Sequence, residues 1–562
     1  MLKQKVYEAF REALGTKEIT LLNPTRPEFG DFAVNIHRFE SASWRRDSKV
    51  ENVIKKLAQN ELFEKIEQKG SFINVFIKIE TLLNELQTIQ KKQEKYGYID
   101  QKGIRINLEY GDPNTHKLPH IGHLFSYVVG ESWARILEAT GNTIYRCCYQ
   151  GDVGPHVAKC LYGIQSSGAR IQDLEKKSLE ERVSLLQKAY QEGSKVYKED
   201  PKAKGEIDEI NKKIYEGEPL VRKLWETTRS WSLEYYQQFE MKLDISYDQH
   251  YFESQTSDLG KKIVQQHLGN IFEESEGAVV FRGEKHNLHT RVFITTLGTP
   301  TYEAKDLALV TLKAKDWPFE KAIITTASEQ NEYFKVVIKA IEEVHPEFKD
   351  KISHIGFGLI DLKSGKMSSR TGNIISAMDL VANVKKIVQN DLLSENKDDK
   401  TADIISLGAV KFAFLKSEAR KNILFDIEES VSLKGNSGPY LQYVYARTQS
   451  VLRNGEWRFE SGEWNSQISN LNFQIGLEEL ALLRSFPHFP EVVENAGTTY
   501  SPHLICTYLY DLAQKFNAFY EKCPILQAQE DVRDLRLALT AATGHIIKNG
   551  LHLLGIKVLD KI

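Results

Sequence analysis

Residues 104–124 read Ile104-Arg105-Ile106-Asn107-Leu108-Glu109-Tyr110-Gly111-Asp112-Pro113-Asn114-Thr115-His116-Lys117-Leu118-Pro119-His120-Ile121-Gly122-His123-Leu124. The first seven alternate in the manner of a strand. Gly111-Asp112-Pro113-Asn114 breaks that pattern. From His123 a helical period runs to Ala139, with Gly141 placed as a C-terminal cap. The next strand covers 143–149 and ends at Gly151-Asp152-Val153-Gly154. Strand, loop, helix, strand is the repeating unit of a parallel sheet. Anions bind at the carboxyl ends of such strands and at helix N-termini, where free N–H groups and the helix dipole point outward. The loop 113–123 is therefore placed for a phosphate-bearing ligand. His120 and His123 can donate hydrogen bonds to it, and Gly122 leaves bare backbone for a flat base.

The bulk of the chain sets the frame for this unit. At ~100–200 residues per domain, 562 residues allow roughly three to five domains. A net charge of −3 carries no nucleic-acid signal, so any polyanion site must be a local basic patch. The five cysteines include no Cys-x-x-Cys pair, which argues against a zinc knuckle and a disulfide scaffold and fits a reducing cytosol. No apolar run is long enough for a membrane span. The first fourteen residues read as an amphipathic helix whose Glu8 and Glu12 argue against a transit peptide.

Three regions follow. Residues 1–100 form a small α+β domain, with helical patterns at 1–14 and 50–67 around a turn-rich stretch at 24–30, a strand at 71–78 and a polar linker at 91–101. Residues 101–375 form the α/β domain, with a charged helical insertion at about 165–245 and further strands at 278–281, 291–295, 321–326 and 354–359. Residues 376–562 read as helical, with heptad-like apolar spacing at 437–453, 475–496, 503–520 and 531–554.

A second constellation is Lys363-Ser364-Gly365-Lys366-Met367-Ser368-Ser369-Arg370-Thr371-Gly372-Asn373. Small residues, cations and hydroxyls suit a loop that holds a triphosphate. It is not a Walker loop, because Gly358 is too distant and Met367 follows the lysine. Ser353-His354-Ile355-Gly356 imitates the first motif, but it lacks a second histidine and sits in an apolar run, so it reads as a strand near the adenine.

Together the two segments resemble the HIGH and KMSKS signatures of class I aminoacyl-tRNA synthetases. Ser369-Arg370 stands where the signature has Lys-Ser, and Lys117 matches a family lysine near the phosphates. Four further stretches resemble the arginyl-tRNA synthetase family: 109–124, 144–154 (with Val153 where that family usually has Trp), 298–306 and 327–330. Residues 435–447 and 509–520 resemble its helical anticodon-binding domain, and 29–35 with 70–74 its additional N-terminal domain.

The resemblance implies a Rossmann-like class I catalytic domain with an insertion, an N-terminal α+β domain and a C-terminal helical anticodon-binding bundle. It implies ATP-dependent ligation of L-arginine to tRNA(Arg) through arginyl-adenylate, with tRNA bound before activation. His120, His123 and Lys366 would carry catalysis, and Lys117, Gly122, Met367 and Ser368 would join them around ATP. A guanidinium is a planar fork of donors and needs carboxylates placed side-on. Glu109 and Asp306 carry over as those acceptors, Tyr302 as a wall, and Asn114 and Gln330 as partners of the α-amino and carboxylate ends. Tyr440 would stack on an anticodon base with Val444 one turn on; the chain ends in Ile562 where the family often has Met. Phe72 and Asn74 would touch the tRNA elbow. Mg²⁺ would arrive with ATP, and no structural metal is expected. A monomer acting in the cytoplasm, without an editing domain, completes the expectation.

Overall fold

The computed structural model describes residues 2–16, 18–24, 27–37, 47–99, 103–363, 376–393, 398–458 and 475–562. The N-terminal unit comprises α1 (Leu2–Leu14), β1 (Leu21–Leu22), β2 (Phe32–Asn35), α2 (Asp47–Ala58), β3 (Phe63–Lys69), β4 (Phe72–Ile77) and α3 (Ile79–Lys92). Its four strands form an antiparallel sheet in the order β1-β2-β4-β3. The helix expected over 50–67 thus ends early, and its second half is β3. Only Phe63 of that strand is buried. An edge strand faces solvent and carries charges, so Glu64, Lys65 and Glu67 erase the alternation that would have revealed it. Gly70, at φ +60°, closes the hairpin to β4.

The described part of the expected linker, residues 91–99, is docked against the rest of the protein. Tyr96 is buried, and its hydroxyl donates to Glu85 at 2.7 Å. Asn549, from the last helix, donates to the Gln93 and Tyr96 carbonyls at 2.8 and 3.0 Å.

The central unit begins with β5 (Arg105–Glu109), α4 (Ile121–Ala139) and β6 (Thr143–Gln150). Five helices follow: α5 (Pro155–Ser166), α6 (Ile171–Leu174), α7 (Leu179–Glu199), α8 (Pro201–Glu216) and α9 (Pro219–Lys242). The chain returns through β7 (Gln249–Phe252), α10 (Glu253–Gln266), β8 (Glu273–Ser275), β9 (Ala278–Phe281), β10 (Arg291–Ile294), α11 (Tyr302–Asp316), β11 (Lys321–Ala327), α12 (Asn331–Val344) and β12 (Ile352–Phe357). Five strands make one parallel sheet in the order β12-β11-β5-β6-β7. The strands expected near 278 and 291 are outside it and form a small antiparallel sheet, β10-β9-β8. β5 lies where the strand order reverses, the position at which open α/β sheets hold ligands beyond the carboxyl ends of the strands.

α4 is buried along nearly its whole length, because it packs on the sheet and on the C-terminal helices together. The remainder comprises β13 (Ile360–Leu362), α13 (Ala377–Ile387), α14 (Asp399–Leu415), β14 (Ile423–Phe425), α15 (Ile427–Ser430), α16 (Gly438–Asn454), α17 (Leu477–Ser485), α18 (Phe489–Thr499), α19 (His503–Lys522) and α20 (Glu530–Leu553). The apolar pattern expected over 475–496 is split by a 3-10 turn at Phe486–His488, with Pro487 and Pro490 at the break. One continuous apolar cluster joins the N-terminal unit, α4 and the C-terminal helices. Among the described residues no helix is long and apolar enough to cross a membrane.

The loop between β5 and α4 is held from the insertion. The Tyr236 hydroxyl, on α9, hydrogen-bonds the Asn114 and Lys117 carbonyls, each at 2.8 Å. Removing it leaves carbonyls in a buried setting without that donor, so Tyr236→Phe is expected to lower stability by about 1–3 kcal/mol. Denaturant unfolding checks this, and an unchanged midpoint would mean that water replaces the hydroxyl.

Candidate active site

α4 starts in the motif itself. His120 caps the helix: its Nδ1 accepts from the Gly122 N–H at 3.0 Å, and the His120 N–H donates to Nδ1 of His123 at 3.2 Å. The two rings lie 3.9 Å apart. Burial, then Lys117, lowers the His120 pKa; burial, then His120 and Lys117, carries His123 well below its ordinary value. Both rings are therefore neutral near pH 7. With each Nδ1 accepting, each proton sits on Nε2. The helix N-terminus thus presents two neutral N–H donors. A Cβ at residue 122 would lie 2.9 Å from Cε1 of His120, so a larger residue there would displace the capping ring.

His116 has a different role. It is fully buried and bonds Thr115 and Thr228 through its ring, each at 2.9 Å, while its N–H donates to Ser232. Burial, with Arg229, lowers its pKa to about 3, so it is a neutral clamp. Lys117 sits 4.5 Å above the Tyr190 ring of α7, and the Leu118 N–H donates to Gln187 on the same helix. Asn114 bridges to Gly151, where its Oδ1 comes within 2.1 Å of the point a Cβ would occupy; only glycine allows that approach.

Beside this loop lies a cluster of acids. Glu109 is buried at the end of β5 and ion-paired with Lys313 of α11. Burial lowers the Lys313 pKa, but Glu109 overcomes this and holds it above the usual lysine value. Asp112 accepts from the Tyr149 N–H at 2.7 Å, and burial followed by Glu109 pushes its pKa well up. Asp306 accepts from the Tyr333 hydroxyl at 2.6 Å. Burial raises its pKa to about 8, opposed by Tyr333 and reinforced by Glu109. Lys313 is thus paired with Glu109, while burial favours the protonated form of both Asp112 and Asp306. Lys305 nearby is already paired with Glu253 at 2.7 Å.

The structure brings Glu109, Asp112 and Asp306 together, with Tyr302 four residues before Asp306 on α11 and half exposed. Gln330 is exposed one turn before Tyr333. Sequence reading missed Lys313, Asp112 and Tyr333. Lys313 lies seven residues beyond Asp306, two turns on along the same helix face, which was a usable signal. Lys366, Met367 and Ser368 lie outside the described residues. The flanks of that segment are described: Lys363 follows β13, while Ser376 bridges to His120 and the Ala377 N–H donates to the Pro119 carbonyl at 2.8 Å. His354 is on β12 as expected, stacked on Phe334 at 4.3 Å.

Three residues expected to contact tRNA, Tyr440, Val444 and Asn74, are buried. On α16, Tyr440 is buried and accepts from Asn517, and Val444 is wholly buried. They share the inward face. The outward face carries Tyr443 and Arg447, one turn apart. Tyr443 and Tyr520 are exposed, and the Arg447 guanidinium lies 4.8 and 4.9 Å from their rings. With Arg453, Lys561 and Ile562 they line a cavity of about 610 Å³. In the N-terminal sheet Phe72 is exposed at the start of β4, but Asn74, two residues further in, is buried between Ala33 and Glu67 and offers no face to a base.

Comparison with known proteins places these features. Residues 83–427 match the family model of class I tRNA synthetases (R), catalytic domain. Residues 441–562 match the DALR anticodon binding domain, and residues 1–77 the arginyl tRNA synthetase N terminal domain. Arginine--tRNA ligase of Treponema denticola is 30% identical, with 97% of this chain and 95% of the relative aligned. That of Bacteroides thetaiotaomicron is 32% identical, with 87% and 86% aligned. The arginyl-tRNA synthetase structure of Thermus thermophilus superposes with a TM-score of 0.82 at 22% identity, covering all of both chains. A catalytic-domain match over more than half the length, in register with relatives along nearly all of it, shows that the chain belongs to the arginyl-tRNA synthetase family, class I ligases that join arginine to tRNA through an adenylate.

Proposed function

We propose that Glu109 and Asp306, supported by Asp112, form the seat for the arginine guanidinium, and that His120 and His123 receive the phosphates of ATP. The observation that carries this reading is the surplus of acid around Lys313, in which Asp306 keeps a proton. A ligand guanidinium supplies the missing positive charge and releases that proton. Tyr302 walls the side chain, and Asn114 and Gln330 take the α-amino and carboxylate ends. The arginine carboxylate then attacks the α-phosphorus in line and pyrophosphate leaves. The 2′-hydroxyl of the tRNA terminal adenosine next attacks the adenylate carbonyl, and AMP leaves. No covalent enzyme intermediate is needed, so positioning and charge carry the rate.

The two Nε2–H donors bind phosphate oxygens without adding a full charge. The cations are Lys117 and Lys366, the latter closing with Met367 and Ser368 from the segment whose far flank meets His120. Mg²⁺ arrives with ATP. In the C-terminal unit Tyr443, Arg447 and Tyr520 take the stacking role first expected of Tyr440 and Val444, and Phe72 contacts the tRNA elbow. The chain divides into an N-terminal tRNA-binding domain (1–100), a catalytic domain (101–375) and a stem with anticodon-binding bundle (376–562), and acts as a cytoplasmic monomer.

Pyrophosphate exchange with a panel of amino acids in the presence of tRNA tests the substrate; exchange with another amino acid and not arginine overturns it. Asp306→Ala is expected to abolish arginylation while tRNA affinity stays nearly unchanged, and wild-type activity in that variant removes Asp306 from the site. Binding requires ionised Asp306, whose free-state pKa is about 8. The arginine KM therefore rises as pH falls below that value, by up to about tenfold per unit, and levels off above it. A KM flat from about pH 6 to 8 contradicts the proton linkage. Tyr443→Ala should weaken tRNA binding by about 1–3 kcal/mol, the scale of one lost base stack. Unchanged tRNA affinity in Tyr443→Ala would remove Tyr443 from the stacking role.

A further inference from the structure

Cys148 and His250 are direct partners across the parallel strands β6 and β7, so their side chains leave the same face of the sheet. Glu240, near the end of α9, packs over both. Cys148 Sγ, a Glu240 carboxylate oxygen and a His250 ring nitrogen all lie within 4.8 Å of one another. Nε2 of His250 is 3.1 Å from Glu240, and the Tyr127 hydroxyl donates to the other Glu240 oxygen at 3.1 Å. Gln150 follows on the same face of β6, is 1% exposed, and sets its Nε2 3.7 Å from Cys148 Sγ. Its Oε1 has no hydrogen-bond partner. Half a turn of that amide exchanges the two atoms and aims the orphan oxygen at the same space.

We propose that Cys148, Glu240 and His250 form a site for a thiophilic divalent cation, zinc by the chemistry of the donors, with the Gln150 carboxamide as fourth ligand. Zinc takes S, N and O donors tetrahedrally at about 2.0–2.3 Å, which sets neighbouring ligand atoms about 3.3–3.8 Å apart. Shifts of about an ångström close the observed cluster onto that geometry. The surroundings favour a dication: the Cys148 sulfur is buried beside the Glu240 carboxylate, so a metal ion between them would be bound by two anionic donors. On binding, the S–H bond breaks, sulfur keeps the electron pair and bonds the metal, and the proton leaves to water. Tyr127 on Glu240 and the Tyr247 ring against His250 at 5.1 Å orient the ligands from outside. The His250 side chain is 34% exposed and gives the ion its entry path.

The ion would join β6 and β7 to α9, the helix whose Thr228, Ser232 and Tyr236 hold the loop before α4. It therefore stiffens the catalytic loop from behind without touching substrate.

Cobalt(II) is the probe. Added to the full-length protein stripped with chelator, it should give a near-ultraviolet thiolate-to-cobalt charge-transfer band, which zinc then bleaches. Cys147→Ser keeps the band, because Cys147 faces Asn107 on the other side of the sheet. Cys148→Ser and His250→Gln each lose or severely weaken it, and zinc raises the melting temperature of the wild type but of neither variant. The surface position of His250 keeps the test open if the Cys148 variant does not fold. A wild-type titration without the band, or a band that survives in either variant, overturns the proposal.

Discussion

The segment between β5 and α4 has no ladder of its own, yet it lies inside the protein. Its buried polar backbone must find partners on other elements, since an unpaired buried N–H or C=O costs as much as a lost hydrogen bond. The partners are spread widely. Gly111 donates to Ser126 on α4, Thr115 to the Gly151 carbonyl beyond β6, His116 to Ser232 on α9 and Leu118 to Gln187 on α7. Tyr236 takes the Asn114 and Lys117 carbonyls. The loop is thus shaped by the insertion as much as by the sheet. This gives the charged helices at 171–242 a structural task that their composition does not announce.

The held loop separates two electrostatic environments. At its far end two imidazoles are neutral and point N–H groups outward, because each Nδ1 is occupied by backbone. At its near end, carboxylates outnumber their buried lysine, and burial favours the protonated form of Asp112 and Asp306. A ligand that is cationic at one end and joins a phosphate at the other matches both ends at once. Neither half has this property alone: His120 without Gly122 would lose its ring position, and Asp306 without Glu109 would lose part of the push that keeps its proton.

Much of this was legible in the chain. The strand at 104–110 and the helix from the His-x-Gly-His motif follow from periodicity, and both stand within a few residues of expectation. What failed did so for identifiable reasons. β3 and β7 are edge strands with charged or polar faces, so period-2 alternation is absent. Tyr440 and Tyr443 are three residues apart on one helix, and the local sequence does not say which turns inward. Packing against α14 and α20 decides it, burying Tyr440 and exposing Tyr443.

The sequence by itself determined the parallel βαβ unit, a helix beginning within the His-x-Gly-His motif and the acidic character of positions 109 and 306, because these depend on local periodicity and residue chemistry. Tertiary structure alone decided which acid is paired and which stays protonated. Pairing depends on Lys313 arriving from a helix 204 residues along the chain from Glu109, and the proton on Asp306 depends on burial that no neighbour in sequence supplies. Tertiary structure alone likewise set Cys148 beside His250 and Glu240, since strand register, not spacing, makes those residues neighbours.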